Sequence, residues 1–299
     1  MRDAEPLPPT ERRNPRTGAL DVLPTLELVR LLDAENRAVL PAVEAAAGQI
    51  ARAVDAVVER LRSGGRLHYF GAGTSGRLAM LDAAECPPTF GTPAELVQAH
   101  IAGGPEALER AVEGAEDDRA AGLREARASV DAGDAAVGVS AGGTAPYVVG
   151  ALAAARARGA LTIAVQCVDG GPLAAEAEIT IAAVVGPEAI AGSTRMKAGT
   201  AQKLILNTLS TACMVRLGRV YGNLMVDVRA TNAKLRARAV RLVRALAHCD
   251  EASARAALEH SGWEVKVAIV ALHRGVDDES ARALLAQSAG ALRPLLEEG

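Results

Sequence analysis

The chain has 299 residues, 49% of them hydrophobic and 23% charged, with a formal net charge of −3. That is enough for one large or two smaller domains with a substantial core, and the near balance of charge, with no basic block, argues against nucleic acid as the main partner. No apolar run approaches the ~18 residues of a membrane span, and Cys86, Cys167, Cys213 and Cys249 are scattered without a CxxC pair, which points away from a disulfide framework or a zinc site and towards a reducing cytoplasm.

In chain order, residues 1–24 are charged and proline-rich without an apolar stretch, so they predict an extended arm and no signal peptide. Leu28, Leu31 and Leu32 recur at helical spacing from Thr25, and Pro41 suits the first turn of a second helix. Ile50, Val54, Val57, Val58 and Leu61 share one helical face that stops at Ser63-Gly64-Gly65. Strands and helices then alternate. A short apolar strand runs up to a glycine turn at Gly71, and LVQAHI forms a second strand. A helical stretch over 105–129 is interrupted near Gly114. Strands follow at 135–139, 161–166 and 178–185, and a long helix ends near Gly218. Nearly continuous apolar strands separated by helices predict an α/β fold with a parallel sheet covered on both faces. From Val226 only helical patterns remain. The expected organisation is an arm and helix over 1–48, a sheet domain over 49–225 and a small helical domain over 226–299.

The chemistry centres on residues 66–91. Gly71, Gly73 and Gly76 let the backbone turn sharply and approach a ligand, and the helix opening behind them offers free N–H groups as an anion site. Thr74 and Ser75 add hydroxyls. The same letters fit a dinucleotide-binding GxGxxG, but the acidic residue which that reading wants about 20 positions on, at a strand end, is missing. Two more loops carry hydroxyls, Ser140/Thr144 and Ser193/Thr194. Any one pair would be an ordinary helix cap. Three pairs at the carboxyl edge of one sheet point to a polyhydroxylated phosphate ligand. Among the acids, Glu113, Asp117 and Asp118 read as a solvated turn. Glu85 lies between an apolar helix and Pro87-Pro88, where partial burial would raise its pKa into the range of an acid–base catalyst.

Longer motifs carry a resemblance. LHYFGAGTSGRLAMLDAAECPPTFGTP, HIAGG…ALERAVEGAEDD, GPEAIAGSTRMKAGTAQKLILNTLST…LGRVYGNLMVDVRATNAKL and the amino-terminal PTERRNPRT together resemble the N-acetylmuramic acid 6-phosphate etherase family over most of the chain. The resemblance implies the sugar isomerase (SIS) fold, a homodimer, and a soluble cytoplasmic enzyme with no metal or redox cofactor. It implies cleavage of the D-lactyl ether of the sugar phosphate: the ring opens, the acidified C2 proton is removed, lactate leaves from C3, and water adds. By position Glu85 matches the family's proton donor, and Glu116 its second catalytic carboxylate and C2 base. Gly73, Thr74, Ser75, Gly76, Ser140, Thr144, Ser193, Thr194, Arg195 and Lys197 are the expected substrate- and phosphate-binding residues, although Lys197 also fits a plain helix surface. One loop departs from the family: where SASGRTPY is usual, this chain has Gly142, Thr144 and Ala145 in place of Ser, Arg and Thr. Two rivals stand beside the etherase, an aldose–ketose isomerase on the same fold and a non-catalytic sugar-phosphate-sensing regulator. Retention of both Glu85 and Glu116 speaks against the regulator, and the altered loop mildly for it.

Overall fold

The computed structural model describes residues 7–228, 230 and 232–297. They form two compact units, one of residues up to 83 with 95–210, the other of 84–94 with the chain from 211 onward.

In the first unit the arm makes short 3-10 turns at Pro9–Glu11, Pro15–Thr17 and Leu20–Val22 and leads to α1 (Thr25–Asn36), α2 (Val39–Ala45) and α3 (Ala47–Arg62). α3 buries the expected face, Ile50, Val54, Val57, Val58 and Leu61, and packs on the sheet at β4 and β5. Its C-terminus closes with Gly65 N–H donating to the Arg60 carbonyl at 2.9 Å, behind Gly64 at φ +88°. The sheet comprises β1 (Leu67–Gly71), β2 (Val97–Ile101), β3 (Ala135–Val139), β4 (Leu161–Gln166) and β5 (Ile179–Ala182), all parallel, in the order β2-β1-β3-β4-β5. β1, β3 and β4 are buried along their whole length, the physical reason that they read as unbroken apolar runs. The opposite face is covered by α6 (Arg119–Ser129) and α7 (Pro146–Ala157), where Tyr147, Val148 and Leu152 pack with Phe70, Ala136 and Ala164.

Two local expectations change, and the expected interruption near Gly114 is resolved in detail. α4 (Gly73–Phe90) is helical from Gly73 itself, so the glycine stretch is the first helical turn and not a loop ahead of it. The same helix continues through Pro87 and Pro88, where the sequence predicts a turn. The 105–129 stretch divides into α5 (Glu106–Glu109), a 3-10 turn at Ala115–Asp117 and α6, with Gly114 at φ +73° at the break.

The last part of α9 (Lys197–Arg216) and the chain beyond it make up most of the second unit, with α8 (Pro172–Ala175) left in the first. A small hairpin of β6 (Val220–Tyr221) and β7 (Leu224–Met225) precedes α10 (Ala233–Ala247), α11 (Glu251–His260), α12 (Val265–Arg274), α13 (Asp278–Gln287) and α14 (Arg293–Glu297). Val243, Leu258, Ile269 and Val270 form its core. Asn232, Asp250 and Asp277 accept from the backbone N–H of Leu235, Ser253 and Ser280, so three of these helices start on side-chain caps. No helix among the described residues is long and apolar enough to cross a membrane.

Candidate active site

The strand order reverses direction between β1 and β3, and in open α/β sheets that switch point is where ligands bind, beyond the carboxyl ends of the strands. A cavity of ≈ 550 Å³ lies there. After β1 it is lined by Ala72, Gly73, Thr74 and Ser75, and after β3 by Ser140, Ala141, Gly142 and Thr144. Thr194 and Glu116 line it as expected, and Asp117 joins them although the sequence reads it as part of a solvated turn.

Each of the three hydroxyl loops precedes a helix, and their helix N-termini are not equivalent. At α4 the N–H groups of Gly73, Thr74 and Ser75 occupy the first turn, where a helix has no acceptors of its own, and a Cβ at Gly73 would meet nothing within 4 Å. Gly73 nevertheless has φ +53°, so the constraint there is backbone conformation combined with its place on the cavity wall. At α7 the first residue is Pro146, which has no N–H to offer. At α9 the site is already filled from within: the fully buried Glu188 accepts from Lys197 N–H at 3.0 Å and from Ala198 N–H at 2.9 Å. Of the three, α9 is closed and α7 has one N–H fewer, while α4 offers a full first turn of the kind a phosphate requires.

Other predicted residues take different places. Gly76 is a packing glycine, since a Cβ on it would lie 2.6 Å from Ile101 Cγ1. Ser193 and Arg195 flank Thr194 but do not line the cavity. The Lys197 ammonium, on a residue only 1% exposed, is committed to Glu35 Oε2 at 2.8 Å and to the Pro187 carbonyl. Glu35 is almost as buried, and the amine of Lys197, the amide of Asn14 and the guanidinium of Arg16 hold its carboxyl below the usual range against the opposing effect of burial. Glu116 stands at the cavity in the 3-10 turn after Gly114. Glu85 is exposed on α4, not partly buried beside the proline pair as the sequence suggests. Twelve positions separate it from Gly73, ~18 Å along a helix rising about 1.5 Å per residue.

Several supporting residues carry no local signal. Ser75 donates its hydroxyl to Gln202 Oε1 at 2.9 Å, and Gln202 is buried with its amide nitrogen unpartnered among the described residues. Gln166, also buried, donates to the carbonyls of Val168 at 2.8 Å and Gly170 at 2.7 Å. Its oxygen lies 2.7 Å from where a Cβ of Gly143 would be, so it fixes the floor of the Ser140–Thr144 loop. Pro8, Thr10 and Glu11 of the arm also line the cavity. Among the lining residues there is no Arg, Lys or His: phosphate would be held here by backbone N–H groups and hydroxyls.

Residues 49–156 match the family model described as the glucokinase regulatory protein N-terminal SIS domain, residues 115–212 the SIS domain, and residues 222–270 the C-terminal lid domain of glucokinase regulatory protein. A Gloeobacter violaceus protein named N-acetylmuramic acid 6-phosphate etherase is 54% identical over 290 residues, 97% of this chain and 94% of that one. The chain belongs to the N-acetylmuramic acid 6-phosphate etherase family. Relatives of the same name from Edwardsiella ictaluri and Serratia proteamaculans are each 52% identical, covering 97% and 96% of this chain and 97% of theirs. Among solved structures, the phosphoheptose isomerases of Neisseria gonorrhoeae and Francisella tularensis superpose with a TM-score of 0.51 each, at 22% and 19% identity, over 64% of this chain and 100% of theirs. That likeness is one of fold, the SIS-type α/β sheet, and the etherase family uses the same frame.

Proposed function

We propose that this chain is a carbon–oxygen lyase that cleaves the D-lactyl ether of N-acetylmuramic acid 6-phosphate, yielding N-acetylglucosamine 6-phosphate and D-lactate in the cytoplasmic reuse of cell-wall sugar. The observation that carries the reading is the pairing, in one cavity, of the open N-terminus of α4 with the carboxylate of Glu116. The 6-phosphate sits on the N–H groups of Gly73, Thr74 and Ser75, with the hydroxyls of Thr74, Ser140 and Thr144 around it. Glu116 takes the C2 proton of the open-chain aldehyde, the C3–oxygen bond breaks as the ether oxygen is protonated, and water adds at C3 of the unsaturated intermediate. Lys197 acts at a distance, by holding Glu35 and the arm, while Gly76 seats α4 on the sheet.

Glu85 supports a homodimer. From phosphorus to C3 of the sugar is roughly 6–7 Å at bond lengths of about 1.5 Å, far short of the ~18 Å that α4 sets between Gly73 and Glu85. A second copy that supplies Glu85 to this cavity would bury it and let it act as the proton donor to departing lactate. Mixing Glu85→Gln and Glu116→Gln protomers tests this. Each variant alone should lose ~10²-fold or more in turnover. With Glu85 given in trans, the mixed dimer carries one intact site and regains lactate release. No recovery would return Glu85 to its own chain. Glu116→Gln alone should also abolish solvent deuterium at C2 of the product.

A second reading, a sugar-phosphate-responsive regulator, draws on the two family models named for a regulatory protein and on the departures at Gly142, Thr144 and Ala145. Incubation with N-acetylmuramic acid 6-phosphate separates the readings. Lactate release marks the etherase, ligand binding without turnover the regulator, and aldose–ketose interconversion without lactate an isomerase.

A further inference from the structure

The arm is held far more firmly than a surface segment needs. Gly192 N–H donates to the Thr10 carbonyl at 3.0 Å, Thr17 Oγ1 to the Ala189 carbonyl at 2.8 Å, and Asn14 Nδ2 to Glu35 Oε2 at 2.6 Å. Behind Asn14 stands the buried Lys197–Glu35 pair, joined by Arg16 Nε at 2.8 Å from Glu35 Oε1. Buried ion pairs add little net stability; their attested use is to specify one arrangement over others. The arrangement specified here is the arm at Asn14 and Arg16; the turn Pro9–Glu11 ahead of it is preset by Pro8 and Pro9 and closed by Glu11 N–H donating to the Pro8 carbonyl at 2.9 Å.

That turn delivers Glu11 to the cavity wall. Its Oε2 lies 3.0 Å from the position a Cβ on Gly192 would occupy, and Gly192 has φ +76°, so the glycine leaves the space that the carboxylate fills. The Glu11 side chain is exposed, lines the cavity and has no hydrogen-bond or ion-pair partner among the described residues. No cation lines the cavity. A carboxylate without a protein partner, fixed by so much buried structure, is placed for donors on a ligand. It would repel phosphate, so it belongs to the part of the ligand away from Gly73.

We propose that Glu11 is a specificity-determining residue that accepts hydrogen bonds from the hydroxyl or amide N–H groups of the sugar, while the first turn of α4 takes the phosphate. This rests on the reading of the cavity as a sugar-phosphate site. The division of labour is testable by titration calorimetry with two ligands, N-acetylglucosamine 6-phosphate and inorganic phosphate, on the full chain and on Glu11→Ala, Glu11→Gln and Thr74→Val. Glu11 is exposed, so its variants should melt as the parent does. Glu11→Ala should weaken the sugar phosphate about 10- to 100-fold, the size of one or two bonds to a charged acceptor, and leave inorganic phosphate unchanged or tighter. Glu11→Gln, which keeps an acceptor oxygen, should recover part of the loss. Thr74→Val should weaken both ligands. Undiminished sugar-phosphate binding by Glu11→Ala, or an equal loss for both ligands, overturns the role of Glu11 and leaves the phosphate cradle standing. Failure of the parent chain to bind either ligand overturns the cradle and this proposal together.

Discussion

A cavity in the second unit is larger than the candidate site in the first, ≈ 660 Å³ against ≈ 550 Å³, and carries more charge. Arg219, Asp227, Arg236 and Lys266 line it beside Trp263. Those charges already have partners within the unit. Lys266 Nζ donates to the carbonyls of Gly218 at 2.8 Å and Gly290 at 2.7 Å and pairs with Asp227 at 2.7 Å. Arg219 reaches the same carboxylate at 3.3 Å, and Arg236 lies 4.9 Å from the centre of the Trp263 ring. In the smaller cavity the polar groups face an open space: first-turn N–H groups, hydroxyls and the carboxylates of Glu11 and Glu116. Size and charge would favour the larger cavity as a ligand site. Unspent hydrogen-bonding capacity favours the smaller, because a group already paired has little left to offer a ligand.

If the charges of the second unit are structural, breaking them should cost stability and not recognition. Lys266→Ala strips Asp227 of its nearest partner but leaves Arg219 at 3.3 Å, so the cost should stay below the ~3–5 kcal/mol of a fully orphaned buried charge. Trp263 is the chain's single tryptophan, so its fluorescence in a urea titration reports this unit directly. An unchanged midpoint together with a changed lactate rate would reverse the assignment of the two cavities.

The next effect belongs to the first unit. Removing the phosphate from the ligand should cost on the order of 10²–10³-fold in affinity, from two or three charge-assisted bonds at roughly 1.5 kcal/mol each. Calorimetry with phosphorylated and unphosphorylated N-acetylmuramic acid reads it. Equal affinities would dissolve the cradle at α4.

Acid should also distinguish the units. Burial pushes His68 on β1 down to about 4, helped by His100 and Arg66 and opposed by Asp134. Folding therefore keeps this imidazole neutral where an unfolded chain, at about 6.5, takes a proton. The unfolded state binds more protons between those values, so the stability of the first unit falls as pH drops through that window, by up to about 3 kcal/mol. In the second unit burial raises the Asp227 carboxyl despite Lys266, and for that group falling pH works in the opposite sense. Hydrogen-exchange protection factors in β1 should fall between pH 6.5 and 4 before Trp263 fluorescence changes. The reverse order would discard the account.

Gly142→Ser should give the smallest change. A Cβ there would lie 3.5 Å from Thr144 Oγ1 and 3.7 Å from Thr10 Oγ1, ordinary contact distances, with no left-handed backbone to strain. Restoring the hydroxyl usual in the family should tighten the phosphorylated ligand by up to about tenfold without moving the melting temperature. Weaker binding would mean that Thr10 and Thr144 already fill that role.

What the amino-acid order determined alone is what short-range physics dictates. β3 and β4 follow from apolar runs at 135–139 and 161–166, because strands buried on both faces have no polar alternation to preserve. The helix start at Gly73–Ser75, on which the proposed phosphate cradle rests, is likewise legible, since it is a property of neighbouring residues, and Glu116 is marked by its motif. Which helix starts remain open was decided by folding. Glu188, nine positions ahead of Lys197, closes α9. Lys197 finds its partner 162 residues away, and Asn14 brings the arm to the same carboxylate. The proline pair stays inside α4, and Glu85 lies on its exposed surface far from the cradle. Glu11 gains its place only when the arm crosses to Gly192. Such pairings depend on distant segments being brought together by the core, and no local spacing encodes them.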